Sequence, residues 1–401
     1  MVSFRNPATI ERQGIPTAFF YKHKTTRAIC ILLALGMVCY SIFVFSPLPF
    51  FARCRALYIE TAMSTKTHQW LATAFIPDCI VESVMENAEK QFDSNMVYES
   101  DISSLFNHGA SHLFNGGMTT DEKLLARFPE IDPMTLPGDL EITEDLQISD
   151  ILDLDIRTTA GDSVYAIDMP NGILILQIEE NGYVGKLVIV KDSSQVELAV
   201  LQTDIGRGRT VTEFCEETGA VLGINGGGFG DEGGEGMGNL PIGLVIQDGK
   251  IVNEAVSDGY FQIAGYDYDN NFRVGYGLDT RQLRDAVQFY PVVVLNGEKC
   301  TEGTSGLGLQ PRTVIGQSAD GATLMLVIDG RQVGYSIGAT MDDCADILLR
   351  YGAYNAMNMD GGSSSSITYM GKMITKVSTR MEGGRYLPNA WVVMPGEPAA
   401  E

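Results

Sequence analysis

The sequence predicts an α+β protein: a mixed β-sheet domain with a few helices, preceded by an N-terminal transmembrane helix and a helical or irregular stalk. Three observations predict it. From Asp155 onward the chain breaks into short apolar runs separated by Gly, Asn and Asp, which is the pattern of strands and turns. Helix-start signals are few in that part, the clearest being Thr210 or Thr212 before Cys215 and Thr340 before Met341. Ala28 to Ala52 carries no charge, and about 20 such residues are enough to span a bilayer.

Taken in order, residues 1–28 form a basic cytoplasmic tail and residues 29–51 a transmembrane signal anchor. A secretory signal peptide has a shorter apolar core, about 7–15 residues, and a small-residue cleavage site. Leu48-Pro49-Phe50-Phe51 does not resemble one. Arg5, Arg12, Lys22, Lys24 and Arg27 before the run outnumber Arg53 and Arg55 after it, so the N-terminus stays in the cytoplasm. The expected location is the cell membrane, single-pass, with the main body extracytoplasmic.

Residues 52–154 are expected to be a membrane-proximal helix and an acidic linker. Ile59, Met63, Trp70, Phe75, Ile80, Val84 and Met85 give a partial apolar stripe that Pro77 interrupts. Residues 155–396 form the main domain. Its expected strands cover Val164–Ile167, Gly172–Glu179, Gly185–Lys191, Val196–Val200, Val221–Ile224, Val287–Leu295, Thr313–Gly316, Thr323–Ile328 and Asn389–Met394. Ile242–Ile246 and Ile251-Val252 form a hairpin about Asp248-Gly249. Asn355 to Asn358 alternates into Asp360-Gly361-Gly362 and four serines, a strand that ends in a tight turn.

Composition excludes several functions. A net charge of −23 argues against a nucleic-acid partner. Seven cysteines without a Cys-x-x-Cys spacing argue against zinc and against a dense disulfide framework, although one pair among Cys215, Cys300 and Cys344 can still form. The four histidines, His23, His68, His108 and His112, all precede the main domain. A site in that domain therefore has no Ser-His-Asp triad and no His-ligated zinc.

Carboxylates and arginines remain. Glycosidic hydrolysis uses two carboxyl groups, one as proton donor and one as base or nucleophile. Asp329 and Asp360 each end an apolar strand before a glycine, and if those strands are neighbours the two acids face one cleft. Asp231, Glu232, Glu235 and Glu213 are looser candidates. Arginine grips phosphate oxygens with a bidentate fork, and Arg312 and Arg331 are the best placed, with Arg380 and Arg385 after them. The Gly-rich loop from Gly226 to Gly238 can offer N–H groups to phosphate. Asn225 and Asn358 can bond sugar hydroxyls or hold the acids.

Four stretches taken together, GINGGGFGDEGG, LQPRTVIG, LVIDGRQ and NAMNMDGGSSSS, resemble the phosphodiester glycosidase family. The animal member of that family removes N-acetylglucosamine from a phosphodiester to expose mannose 6-phosphate. The resemblance covers roughly Asp155 to Pro395. It implies site roles for Asn225, Gly226 and Gly227, for Arg312, for Asp329, and for Asn358, Asp360, Gly361 and Gly362. Arg385 and Asn389 match its closing pattern, and Arg331 and Ser363 flank its motifs. The expected function is hydrolysis of a sugar-1-phosphodiester, N-acetylglucosamine in type, in cell-wall or exopolysaccharide material. Arg312 would hold phosphate, and Asp360 and Asp329 would share acid/base work. The alternative is a tethered factor that binds an anionic polysaccharide without cleaving it. The sequence names no definite cofactor, and acids in Gly-rich loops also suit a divalent cation, Ca²⁺. No protein partner can be named.

Overall fold

The computed structural model describes residues 17–396 apart from 66, 95, 103–118, 181, 202–205, 232–235, 257–260, 302–306 and 382. His108, His112, Glu232 and Glu235 lie outside the described residues. The chain divides into two compact units, Met1–Ala56 and Leu57–Glu401.

In the first unit, helix α1 (Thr17–Phe45) contains Thr26–Phe45, which is long and apolar enough to cross a membrane by length and composition. Helix α1 ends before Pro49, which opens α2 (Pro49–Met63), so the last residues of the uncharged run belong to the next helix. Arg55 donates from Nη1 to the main-chain oxygens of Phe43 and Ser46, both at 3.1 Å, satisfying carbonyls that the end of α1 leaves open.

The second unit begins with three further helices, α3 (Trp70–Thr73), α4 (Asp78–Ser94) and α5 (Thr120–Arg127). Its largest sheet has nine strands in the order β1 (Gln147–Ser149), β2 (Ser163–Asp168), β3 (Ile173–Glu180), β4 (Tyr183–Val190), β15 (Thr323–Ile328), β14 (Arg312–Ser318), β16 (Ala353–Asn358), β12 (Val292–Leu295) and β13 (Glu298–Lys299). A second sheet runs β10 (Phe272–Gly275), β9 (Gln262–Asp267), β11 (Leu283–Phe289), β7 (Val245–Gln247) and β8 (Lys250–Asn253). A third runs β18 (Lys372–Met373), β17 (Ile367–Tyr369), β6 (Leu222–Asn225), β19 (Asn389–Val393) and β5 (Val196–Val200). The α+β class is as expected. The pairings among these strands are antiparallel where a mixed sheet was expected.

Both faces of the large sheet are buried, and this explains its unbroken apolar runs. Along β15, Leu324, Leu326 and Ile328 enter one core while Met325 and Val327 enter the other. β3 and β4 divide in the same way, as period-two geometry requires. Helix α7 (Met341–Arg350) covers one face through Met341, Cys344, Ala345, Ile347 and Leu348. Thr340 and Asp343 form its capping box. The two smaller sheets cover the other face around Trp391, which is fully buried. Behind them, α6 (Val211–Thr218) packs on Ala390 and Val392, with Thr210 and Glu213 as its capping box.

The expected strand Val287–Leu295 is two strands in two sheets. Pro291 has no N–H to give a ladder and separates β11 from β12. Residues 97–100 also belong to the folded unit. Ser100 N–H donates to Val274 O at 2.9 Å and Tyr276 N–H to Val97 O at 3.0 Å, extending the edge at β10. Cys215, Cys300 and Cys344 are free thiols.

Trp391 joins the two smaller sheets to the large one. Trp391→Ala should cost about 3–5 kcal/mol of unfolding free energy in denaturant titration. A loss under about 1 kcal/mol would show that this core is not the main support.

Candidate active site

Strand order brings the motifs to one edge. β14 lies antiparallel between β15 and β16, with Arg312 opposite Ile328 and Val314 opposite Asn358. The start of β14 and the ends of its two neighbours therefore emerge together. Asp329 follows β15 directly, and Asp360 lies two residues past β16. These two strands are not neighbours, so the acids are held two strand spacings apart, about 10 Å between strand axes.

Asp360 is fixed by the main chain around it. Its N–H donates to Gly226 O at 3.2 Å, and Asn225 Nδ2 donates to its carbonyl at 2.6 Å. Asn225 Oδ1 accepts from Thr313 Oγ1 at 2.7 Å and from Ser366 N–H at 3.3 Å. Asn225 is thus a fully buried knot between three segments, rather than a group open to sugar hydroxyls. Gly226 must be glycine, because a β-carbon there would sit 2.1 Å from Asn389 Oδ1. That same oxygen accepts from Gly227 N–H at 2.8 Å.

The Asp360 carboxyl keeps some surface open, yet burial raises its pKa to about 6. The Ser364 hydroxyl, the charge of Arg385 and the Gly361 N–H pull the other way, while Asp231 adds to the rise. Arg385 bridges the two acids electrostatically. Its Nη2 donates to Asp231 Oδ1 at 3.0 Å, and its Nη1 reaches Ser363 Oγ at 3.4 Å. Its guanidinium also lies 5.3 Å from the centre of the Phe229 ring.

Arg331 also reaches the turn that follows Asp360. Its Nη2 lies against Gly362, 3.0 Å from where a β-carbon would stand, and Gly362 has a left-handed φ of +63°. The charge of Asp360 acts on Arg331, against the lowering effect of burial. Arg331 itself has φ of +59°, a conformation that costs a non-glycine residue roughly 1–2 kcal/mol. Gln310 Oε1 accepts from both its Nε and Nη2, at 3.0 and 2.6 Å.

Arg312 has a different occupation from the one expected. It is 4% exposed, and its Nε donates to Ala339 O at 3.0 Å. Its Nη2 donates to Leu307 O at 3.1 Å and to Gly308 O at 2.6 Å. Burial lowers its pKa to about 10. Spent on three carbonyls, this guanidinium braces a loop and is poorly placed to clamp phosphate. Sequence alone could not show this, because a Pro-Arg pair looks the same whether buried or exposed.

Asp329 lies apart from the Asp360 group. Tyr335 Oη donates to its Oδ2 at 2.8 Å and Lys376 N–H to its Oδ1 at 3.1 Å. Burial raises its pKa, with Tyr335, Lys376 and Lys186 opposing. Asn358 Nδ2 donates to Tyr290 O at 2.7 Å, while its Oδ1 is buried without a partner. Glu213 pairs with Arg207 and caps α6, and Arg380 is exposed. Gln310 and Ser364 were missed. A neutral Gln before a proline carries no signal of its own. No group of three or more His, Cys, Asp or Glu residues suited to a metal occurs among the described residues.

An acid whose pKa burial raises to about 6, beside two guanidinium groups and glycine-lined strand ends, is the kind of perturbed group found at functional sites, and the arginines suit an anionic group. Residues 218–394 match the family model described as phosphodiester glycosidase. A relative, the SPbeta prophage-derived uncharacterized protein YomE of Bacillus subtilis, is 28% identical over 186 residues, 43% of this chain. The chain spans only 28% of that relative's length. Among solved structures, zebrafish N-acetylglucosamine-1-phosphodiester alpha-N-acetylglucosaminidase, in its catalytic domain auto-inhibited by pro-peptide, is 19% identical. The match covers 55% of this chain and 82% of that one, with a TM-score of 0.46. A hypothetical protein from Synechocystis is 15% identical over 60% of this chain and 65% of that one, with a TM-score of 0.41.

The raised pKa of Asp360 has a sign that stability can test. Its folded value lies above the ordinary 3.8, so the folded state binds the proton more tightly. The resulting stabilisation is complete below about 3.8 and is lost as pH rises through about 6. Asp360→Asn should therefore be more stable than the parent above pH 6, by roughly 1–3 kcal/mol, and converge with it near pH 4. Equal stability at both pH values would contradict the burial account.

Proposed function

We propose that the protein is a membrane-anchored extracytoplasmic hydrolase that cleaves a sugar-1-phosphodiester, N-acetylglucosamine in type, in cell-wall or exopolysaccharide material. The observation that carries this reading is Asp360, a carboxyl with a raised pKa within electrostatic reach of Arg331 and Arg385. The match of residues 218–394 to the phosphodiester glycosidase family model supports a glycosidase acting on phosphodiesters. The apolar helix Thr26–Phe45, with its basic preceding segment, supports the anchor and its orientation.

In this mechanism the substrate phosphate lies between Arg331 and Arg385. Its negative charge raises the Asp360 pKa further and keeps the acid protonated. Asp360 gives its proton to the oxygen between sugar C1 and phosphorus as the C1–O bond breaks. The arginines stabilise charge growing on the departing phosphate monoester. Asp231, paired with Arg385, takes a proton from the water whose oxygen bonds to C1. Asp329 is assigned to holding the loop that carries Arg331.

The test uses the full chain and an N-acetylglucosamine-1-phosphodiester. Free sugar should be released, and kcat/KM should fall as pH rises through about 6, because the proton donor is lost. Asp360→Asn should cost at least about 100-fold in kcat. Binding of wall polymer without any release would favour the non-catalytic tethered factor. Activity that rises through pH 6 would reverse the role given to Asp360.

A further inference from the structure

The end of α2 touches the site through a short chain of hydrogen bonds. From Leu57 onward this helix belongs to the same compact unit as the site. Gln310 is 4% exposed and joins the two. Its Oε1 accepts both bonds from Arg331, and its Nε2 donates to Thr61 O at 3.1 Å. The amide orientation is unambiguous, since guanidinium requires the oxygen and a main-chain carbonyl requires the N–H. Thr61 holds the same loop a second time, its Oγ1 accepting from Leu309 N–H at 2.9 Å. Gly308 packs directly on the Thr61 main chain, and Ser64 Oγ donates to Leu307 O at 3.1 Å. Leu307 and Gly308 are also the carbonyls that buried Arg312 braces from behind.

From this we infer that Gln310 is a positioning residue for phosphate binding: anchored at its back by Thr61 of the membrane-proximal helix, it fixes the fork of Arg331 over Gly362. The inference rests on the proposed role of Arg331 at a phosphodiester. A free Arg side chain has about 2 kcal/mol of rotamer entropy to lose on binding. Two bonds to one buried carbonyl oxygen remove much of that loss in advance and leave the outer guanidinium edge for ligand oxygens. The left-handed backbone at Arg331 has the same effect, because the loop holds the residue in a conformation it would not keep alone. The helix that follows the apolar anchor is thereby part of the binding site's support, and loosening it should weaken phosphate binding.

The experiment measures binding of inorganic phosphate, and of N-acetylglucosamine 1-phosphate, to the full chain in detergent. Steady-state turnover of the phosphodiester and thermal unfolding are followed in parallel. Gln310→Ala should weaken both ligands about tenfold and raise KM by a similar factor, with kcat changed far less. Thr61→Val removes the acceptor for Leu309 and should act in the same direction, while Thr61→Ser, which keeps the hydroxyl, should restore the parent values. Binding unchanged in Gln310→Ala and Thr61→Val would overturn the inference. So would a fall in kcat and melting temperature with no change in ligand affinity, because that is the mark of a structural role alone. Phosphate bound by the parent and weakened in these variants, but with no turnover, would uphold the coupling and reject the hydrolase reading.

Discussion

The site depends on one strand pairing. β14 runs antiparallel between β15 and β16, and this alone sends the starts and ends of three motif-bearing strands to one edge. The buried guanidinium of Arg312, at the first position of β14, then donates to three carbonyls, those of Leu307, Gly308 and Ala339, and so ties the loop at 307–308 to the strand end. Removing it takes a charged hydrogen bond from each of the three inside a buried site, where hydrogen bonds to charged groups are worth most. Arg312 is therefore expected to be intolerant of change for reasons of support, whatever its distance from the chemistry.

On the proposed reading, the balance of charge at the site suits the leaving group. An ordinary glycoside releases a poor leaving group, and two carboxylates must do most of the work. A sugar phosphodiester releases a phosphate monoester, which already tolerates negative charge. Stabilising that charge with fixed guanidinium groups becomes as useful as supplying a proton. An arrangement of Asp360 and Asp231 around Arg385, with Arg331 against Gly362, suits that demand. The expected pair of Asp360 and Asp329 does not form in the same way, because β14 separates their strands and Tyr335 and the Lys376 N–H already engage Asp329.

Much of the fold was legible because local and global preferences agree. Thr323–Ile328 is an uninterrupted apolar run because both faces of its sheet are covered, and the helices at Thr210 and Thr340 announce themselves through capping residues. Strands β9 and β10 were not expected. Gln262–Asp267 and Phe272–Gly275 mix glycine, acid and amide with apolar residues, and their burial comes from packing against the large sheet rather than from local pattern. At the site, Asp360 and its glycines were legible from a strand end running into a turn. What sequence could not show was which arginine is free to act. Arg312, Arg331 and Arg385 all stand beside motifs, and only their tertiary surroundings separate a guanidinium spent on carbonyls from one near Asp360. Gln310 was invisible for a related reason, since its importance lies in two opposite contacts that meet only in the folded chain.

The central claim is that water attacks the sugar carbon and not the phosphorus. Hydrolysis of an N-acetylglucosamine-1-phosphodiester by the full chain in ¹⁸O-labelled water tests it directly, with mass spectrometry of both products at early times. The account predicts the label in the anomeric hydroxyl of the released sugar and an unlabelled phosphate monoester. Label in the phosphate would show cleavage of the P–O bond, making the protein a phosphodiesterase and contradicting the roles given to Asp360 and Asp231.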